Sequence, residues 1–473
     1  MANVLDFFRQ KQITTLSTVN LSPRALYERL DLYYFNNDLY NSIEYASAYN
    51  NLWIESMKGL RTSVHRSVEF YTSHVATKIT VTADNDTVKQ AIEQFHKWSN
   101  FETTKRLAIR QFSLYGDVFY KVVNTPDKVY FESINPKCVK DFDEDSRGNI
   151  TEIRIETVVE VDEHDMINTE YWNKDDGYCS IWTHDMGYNA DLSSLGTPDE
   201  YYSLIEFGVD FIPIVHSKFV DVGKKRGNSC VAHALMKIDD ANRMATRLEQ
   251  ILFRYNKRTW AIMANASDAN GRPIPAPKLA NSNTGLSNDT NALDEDVFYL
   301  PGTSSMASMI PNINYDSALN ILKAMETEIE QDLPELKYYS LADSHLSGKA
   351  IRSLLAGAID RGKEAQDNFL DAIKKLDEMA LTIGIFNGIF PASLGNYANG
   401  DFEHNIDGGE MFGIDVDEKA ASLKLLTDAG LALESAMKIL GFSEEDITQA
   451  VESKSKQDAI TQNNFLSKFN AGA

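Results

Sequence analysis

Hydrophobic positions recur at helical spacing over two stretches on either side of Pro334. The first, Tyr315 to Leu333, sets Ala318, Leu322, Met325 and Ile329 in a single seam along a helix. Pro334 closes it, because proline lacks an N–H and disfavours helical geometry at Leu333. After a break at Tyr338 to Leu346, Ser347 is the expected N-cap of a longer pattern through Ile351, Leu354, Leu355, Ala358, Ile359, Phe369, Leu370, Ile373, Leu376, Ala380 and Ile383. About 40 residues at 1.5 Å each predict a rod of roughly 60 Å, with a kink near Gly357 or Gly362.

The first hundred residues read as helices: one after Ser22-Pro23, one over Leu52 to Ala76, and two over Thr87 to Trp98 and Glu102 to Leu114, with a short strand at Lys78 to Thr82. From Gly116 the period falls to two. Strands are predicted at Val118 to Val123, Lys128 to Ile134, Ile150 to Val161, Asn168 to Trp172 and Tyr178 to His184, then a loop over Leu192 to Glu200 and an extended segment at Phe207 to Phe219. Ser229 is the expected cap of a helix of about seven turns ending at Lys257-Arg258. The stretch Ala264 to Leu293 is rich in Asn, Ser, Pro and Gly, and reads as an excursion at the far end of an antiparallel helix pair. Three short helices follow Asp415, with Gly430 and Gly441 as their stops. The fold class expected is α+β, predominantly helical.

Charge changes the picture for the paired helices. The helix at 315 carries Asp316, Glu326, Glu328, Glu330 and Asp332 against Lys323, whereas Lys237, Arg243, Arg247, Arg254, Lys257 and Arg258 outnumber Asp239, Asp240 and Glu249 on the helix at 229. The two are expected to meet basic flank to acidic flank, within one subunit or around a ring. The chain as a whole has 473 residues, room for about two to four domains, and a formal charge of −23, so a basic nucleic-acid-binding surface is not its main feature. Three scattered cysteines without CxxC spacing and no apolar run of membrane-spanning length predict a reduced protein, made soluble in the cytoplasm, with no membrane partner.

Candidate chemistry is sparse. Ser347-Gly348-Lys349 resembles the end of a phosphate loop, but Asp343 and Ala350 stand where glycine and a hydroxyl are needed. Asp141, Asp143, Asp145 and Glu152 have EF-hand spacing, yet Ser146 replaces the glycine, so a β-turn closed by Gly148-Asn149 is the better reading. The C-terminal helices are too acidic for a DNA-reading helix-turn-helix. No catalytic motif occurs, so no enzyme, cofactor or metal is expected.

The order of elements resembles the portal proteins of tailed double-stranded DNA bacteriophages, of the class with a crown. The residues that carry it are Tyr115-Gly116-Asp117-Val118-Phe119-Tyr120-Lys121-Val122 with Glu132-Ser133-Ile134-Asn135-Pro136, Asp145-Ser146-Arg147-Gly148-Asn149-Ile150-Thr151-Glu152, Ile212-Pro213-Ile214-Val215-His216, and Leu346-Ser347-Gly348-Lys349-Ala350. The resemblance implies a homo-oligomeric ring, usually a dodecamer, at one capsid vertex of the virion, assembled in the host cytoplasm. It assigns 1–228 and 347–412 to a wing, 229–258 and 315–337 to two stem helices, 259–314 to a clip, 338–346 to a tunnel loop and 413–473 to a crown. In that arrangement Glu326, Glu328, Glu330 and Asp332, or an outward-facing subset, line a DNA tunnel. Tyr338, Tyr339, Leu341, Asp343, His345 and Leu346 form the loop that meets double-stranded DNA. The implied partners are the terminase large subunit, head-completion and tail adaptors, and the major capsid and scaffolding proteins. Another viral adaptor or capsid protein, or an enzyme with an unrecognised site, are the competing classes.

Overall fold

The computed structural model describes residues 22–35, 64–161, 163–204, 209–255, 259–264, 296–301, 315–340, 348–412, 416–442 and 446–456. Helices α1 (Pro23–Phe35) and α2 (Val64–His74) precede strand β1 (Thr80–Thr82), and α3 (Asp86–Trp98) and α4 (Phe101–Tyr115) follow it. Asn85 caps α3 by accepting from the Thr87 N–H at 3.0 Å, and His96 and Lys97 occupy its last turn, where the helix dipole favours them. At the end of α4 the chain turns through Gly116 at φ +88°; a Cβ there would stand 2.5 Å from the Asn228 carbonyl carbon, so only glycine fits.

Strands β2 (Asp117–Asn124), β3 (Val129–Ile134), β4 (Val139–Glu144), β5 (Ile150–Val161), β6 (His164–Asn173), β7 (Tyr178–His184), β8 (Glu200–Ser203) and β9 (Ile214–Lys218) then form two antiparallel sheets, ordered β3-β2-β9 and β4-β5-β6-β7-β8. Phe119, Phe142, Ile153, Trp172, Cys179 and Ile214 fill a core shared by the two sheets. After them come α5 (Leu235–Tyr255), the parallel pair β10 (Thr259–Ala264) and β11 (Asp296–Pro301), α6 (Tyr315–Asp332), α7 (Leu336–Ser340), α8 (Gly348–Leu354), α9 (Ala356–Phe386), β12 (Asn405–Asp407), which pairs with β1, and the C-terminal α10 (Val416–Asp428), α11 (Leu433–Ile439) and α12 (446–456). The main core is aromatic: Tyr27, Tyr33, Phe70, Tyr71, Phe95, Phe112, Tyr120 and Phe219 share it with Phe369 of α9, whose ring meets Phe112 and Tyr120 at 5.8 and 6.2 Å. The chain is thus mixed helix and strand, in line with the α+β expectation.

Several elements depart from the pattern reading. The acidic run at 141–145 is strand β4 plus a turn, and β8 begins at Glu200, the last residue of the stretch read as a loop. The helix expected from Ser229 starts at Leu235, because the Cys230 N–H bonds Ser113 O and the next turns close i to i+3. The long rod breaks at Leu355, two residues before Gly357, where Pro334 packs within contact distance. The expected helix over Leu52 to Ala76 is seen as α2, with 75–76 in a turn; residues 52–63 lie outside the described residues, as do Ser347 and the segments 265–295 and 302–314.

Candidate functional site: the paired helices and the turn beyond them

Helices α5 and α6 lie against each other and run antiparallel, since Lys237 near the start of α5 reaches Asp332 at the end of α6 at 2.7 Å. Ile238, Ala241 and Ala245 of α5 are buried, as are Leu322 and Ile329 of α6, and all five belong to the main core. Leu322 and Ile329 lie on the predicted seam, and of the two basic-to-acidic meetings expected, within one subunit or around a ring, the Lys237–Asp332 pair is one of the first kind. Asp239 fastens the base of α5 to α1, accepting from Tyr33 Oη at 2.6 Å and Arg29 at 3.2 Å.

Successive helical residues turn by about 100°, which places Glu326 and Glu330 on one flank of the buried stripe of α6 and Glu328 and Asp332 on the other. Between the flanks, on the side away from α5, lies an uncharged ridge of Asn320, Ala324, Thr327 and Gln331, all exposed. The four acids are therefore split. Asp332 is committed to Lys237, Glu326 is half-buried, and Glu328 and Glu330 are exposed with no ion pair among the described residues. Leu319 and Ile321, exposed by 44% and 49%, interrupt what composition suggested were purely acidic faces.

Beyond α6 the chain makes a tight turn through Pro334 and Glu335 into α7, which holds the first three residues of the predicted loop. Tyr338 packs against Phe70, His74 and Phe412, with ring centroids 5.6, 5.3 and 5.9 Å away. The Tyr339 hydroxyl donates to Arg66 O at 2.9 Å, so this end of the segment is fixed to α2. Leu341, Asp343, His345 and Leu346 lie outside the described residues.

Sequence reasoning missed the group that organises this turn. Glu335 has no solvent exposure, and its carboxylate accepts hydrogen bonds from Ser67 Oγ and from Tyr71 Oη, the latter at 3.1 Å. Arg361 of α9 donates to Cys230 O and Asp332 O, each at 3.3 Å, and stands 4.0 Å from the Glu335 carboxylate. Burial pushes the Glu335 carboxyl up to about 7, against the pull of its own backbone N–H, Arg361 and Tyr71. An acid between Leu333-Pro334 and Leu336, in an otherwise apolar junction, was the available signal.

A second buried charge network holds the sheets. His216 lies between Asp117 at 2.8 Å and Glu144 at 2.6 Å and stacks on Phe119, while Asp117 also accepts from Tyr27 Oη and the Gly227 N–H. Burial alone would lower the imidazole pKa, but its two carboxylate partners override it and raise it. The EF-hand-like acids are spent otherwise. Asp141 and Asp143 hold Lys225 at 2.6 and 2.8 Å, Asp145 accepts from the N–H groups of Arg147 and Asn149, and Glu152 accepts from Tyr171. Among the described residues no cluster of His, Cys, Asp or Glu is arranged for a metal, and no helix is long and apolar enough to cross a membrane.

No protein-family model matches the chain, and no curated protein matches it. Among solved structures it is similar to a chain in the virion of a native gene transfer agent particle, with 13% identity over 80% of this chain and 89% of that one, at a TM-score of 0.39. It is likewise similar to chains in the neck of the native particle computed with C12 symmetry (13% identity, 80% and 89% covered, TM-score 0.36) and in the neck of the empty particle computed with C6 symmetry (13%, 80% and 90%, 0.38).

Proposed function

We propose that the chain is a portal protein, the head–tail connector subunit that forms a ring at one capsid vertex and conducts double-stranded DNA during packaging and ejection. The observation that carries the reading is α6, an 18-residue helix with Leu322 and Ile329 as its buried residues and a neutral ridge bordered by acids on its outer side. A wall of this kind repels phosphate without binding it, as a conduit for DNA requires. The residues of the resemblance support it further, because they fall at joints of the fold: Gly116 at the α4–β2 turn, Gly148 at the β4–β5 turn, His216 on β9 and Gly348 at the start of α8.

In this reading α5 and α6 are the stem, the excursion between them is the clip that docks terminase and later the adaptors, and α10 to α12 belong to the crown. Glu328 and Glu330 face the bore, Asp332 braces the stem, and Tyr338 and Tyr339 anchor the loop that approaches DNA. Negative-stain electron microscopy of the purified chain tests it: closed annular particles are expected. A sample containing only monomers or open lattices overturns it.

A further inference from the structure

Ser67 and Tyr71 of α2 bond the Glu335 carboxylate directly, and Arg361 of α9, 4.0 Å from it, ties the Cys230 carbonyl before α5 and the Asp332 carbonyl at the end of α6 to the same place. The titratable and charged groups that face its carboxyl are Tyr71 from α2, Cys230 from the segment before α5, Arg361 from α9 and, on α7 itself, Tyr339, whose pKa burial also raises. Burial raises the pKa of Tyr71 and of Cys230, so neither titrates near neutrality, and the guanidinium stays charged.

Arg361 is poorly placed to neutralise a carboxylate. Its donors are used on two backbone carbonyls, and it stands 4.0 Å away without a hydrogen bond to Glu335. An ionised Glu335 would thus be a fully buried charge held by two hydroxyls, its own backbone N–H and one indirect partner, a costly arrangement. Glu69, two residues from Ser67 on the same helix, is the contrast. It accepts from Arg110 at 2.6 and 3.0 Å and from Tyr34, keeps access to water, and its pKa is lowered, chiefly by Arg110.

We propose that Glu335 is a proton-operated latch, fastening the α6–α7 turn to α2 while its carboxyl is neutral and loosening that turn when the carboxyl ionises. The raised pKa of this group supports the geometry and fixes the direction. A carboxyl that binds its proton more tightly in the folded state adds stability at low pH, and that contribution is lost as pH rises from the unfolded value of 4.5 to the folded value of about 7. The consequence falls on α7, whose attachment to α2 through Tyr338 and Tyr339 would relax as pH rises toward about 7. The latch is built within one subunit and does not depend on ring formation.

Hydrogen exchange of the full chain, followed from about pH 5 to about pH 8 and corrected for intrinsic exchange rates, reads the latch through peptides covering 64–74 and 333–340. Protection is expected to fall by at least about ten-fold between about pH 5 and about pH 7 and to level off above that. Glu335→Gln, a neutral isostere, should remain protected throughout. His74 packs on Tyr338 and is retained in that variant, so a decline caused by His74 would persist in it. A second variant, Tyr71→Phe, removes a hydrogen bond to the ionised form and should move the midpoint to higher pH. A flat wild-type profile, an unchanged decline in Glu335→Gln, or an unmoved midpoint in Tyr71→Phe overturns the proposal.

Discussion

Helices α9 and α6 are both long and both touch the main core, yet they are built for different surroundings. Of the 31 residues of α9, 13 are buried, among them Phe369, Ile373, Leu376 and Leu381, so neighbours in the same chain close over much of its surface. Of the 18 residues of α6, the buried ones are Leu322 and Ile329, and the rest present an acidic and neutral polar surface broken by Leu319 and Ile321. The first is a beam inside a folded body, and the second is a strut held along one edge. A helix so weakly enclosed contributes little to folding, and its sequence is free to answer to whatever passes or packs on its outer side.

The sharpest way to break this comparison is a matched truncation. Phe369→Ala empties a ring-sized space beside Phe112 and Tyr120 and should cost about 3–5 kcal/mol by urea denaturation. Ile329→Ala should cost about 2 kcal/mol, at the low end for such a change, with the extra hydrogen exchange confined to α5 and α6. Equal costs would mean that α6 is as deeply integrated as α9.

The body also differs from the strut in holding buried charge. The raised pKa of His216 means that its contribution to stability is fully present below the ordinary histidine value and is lost as pH rises through the folded one. Denaturation midpoints followed into alkaline pH should fall in the wild type, and His216→Gln should remove that part of the slope. The smallest effect is expected on the strut's outer surface: Glu328→Gln and Glu330→Gln should each change stability by less than about 0.5 kcal/mol. A larger loss in either would show that these acids are paired within the chain and do not face a bore.

Periodicity and punctuation determined most of the elements on their own. The seam of α6, the strands at 117–124, 129–134, 150–161 and 178–184, the helices of the first hundred residues and the glycine stops near the C-terminus all follow from residues within a few positions of each other. The stretches 139–144 and 200–203 were less legible because polar and acidic residues dominate them, and they become strands by pairing with β5 and β7.

The candidate site was legible only in part. Spacing placed the acids of α6 on one helix and divides them between two flanks of its seam, but the capture of Asp332 by Lys237 and the anchoring of Tyr338 on Phe70 and His74 were settled by tertiary contact. Glu335 was passed over for the same reason. Nothing within a helical turn of it announces Ser67, Tyr71 or Arg361, which lie far away in sequence and meet it only when α2 and α9 close around the α6–α7 turn. Backbone form is written in local spacing, whereas the state of a buried charge depends on which distant groups the fold brings within hydrogen-bonding reach and how much water it shuts out.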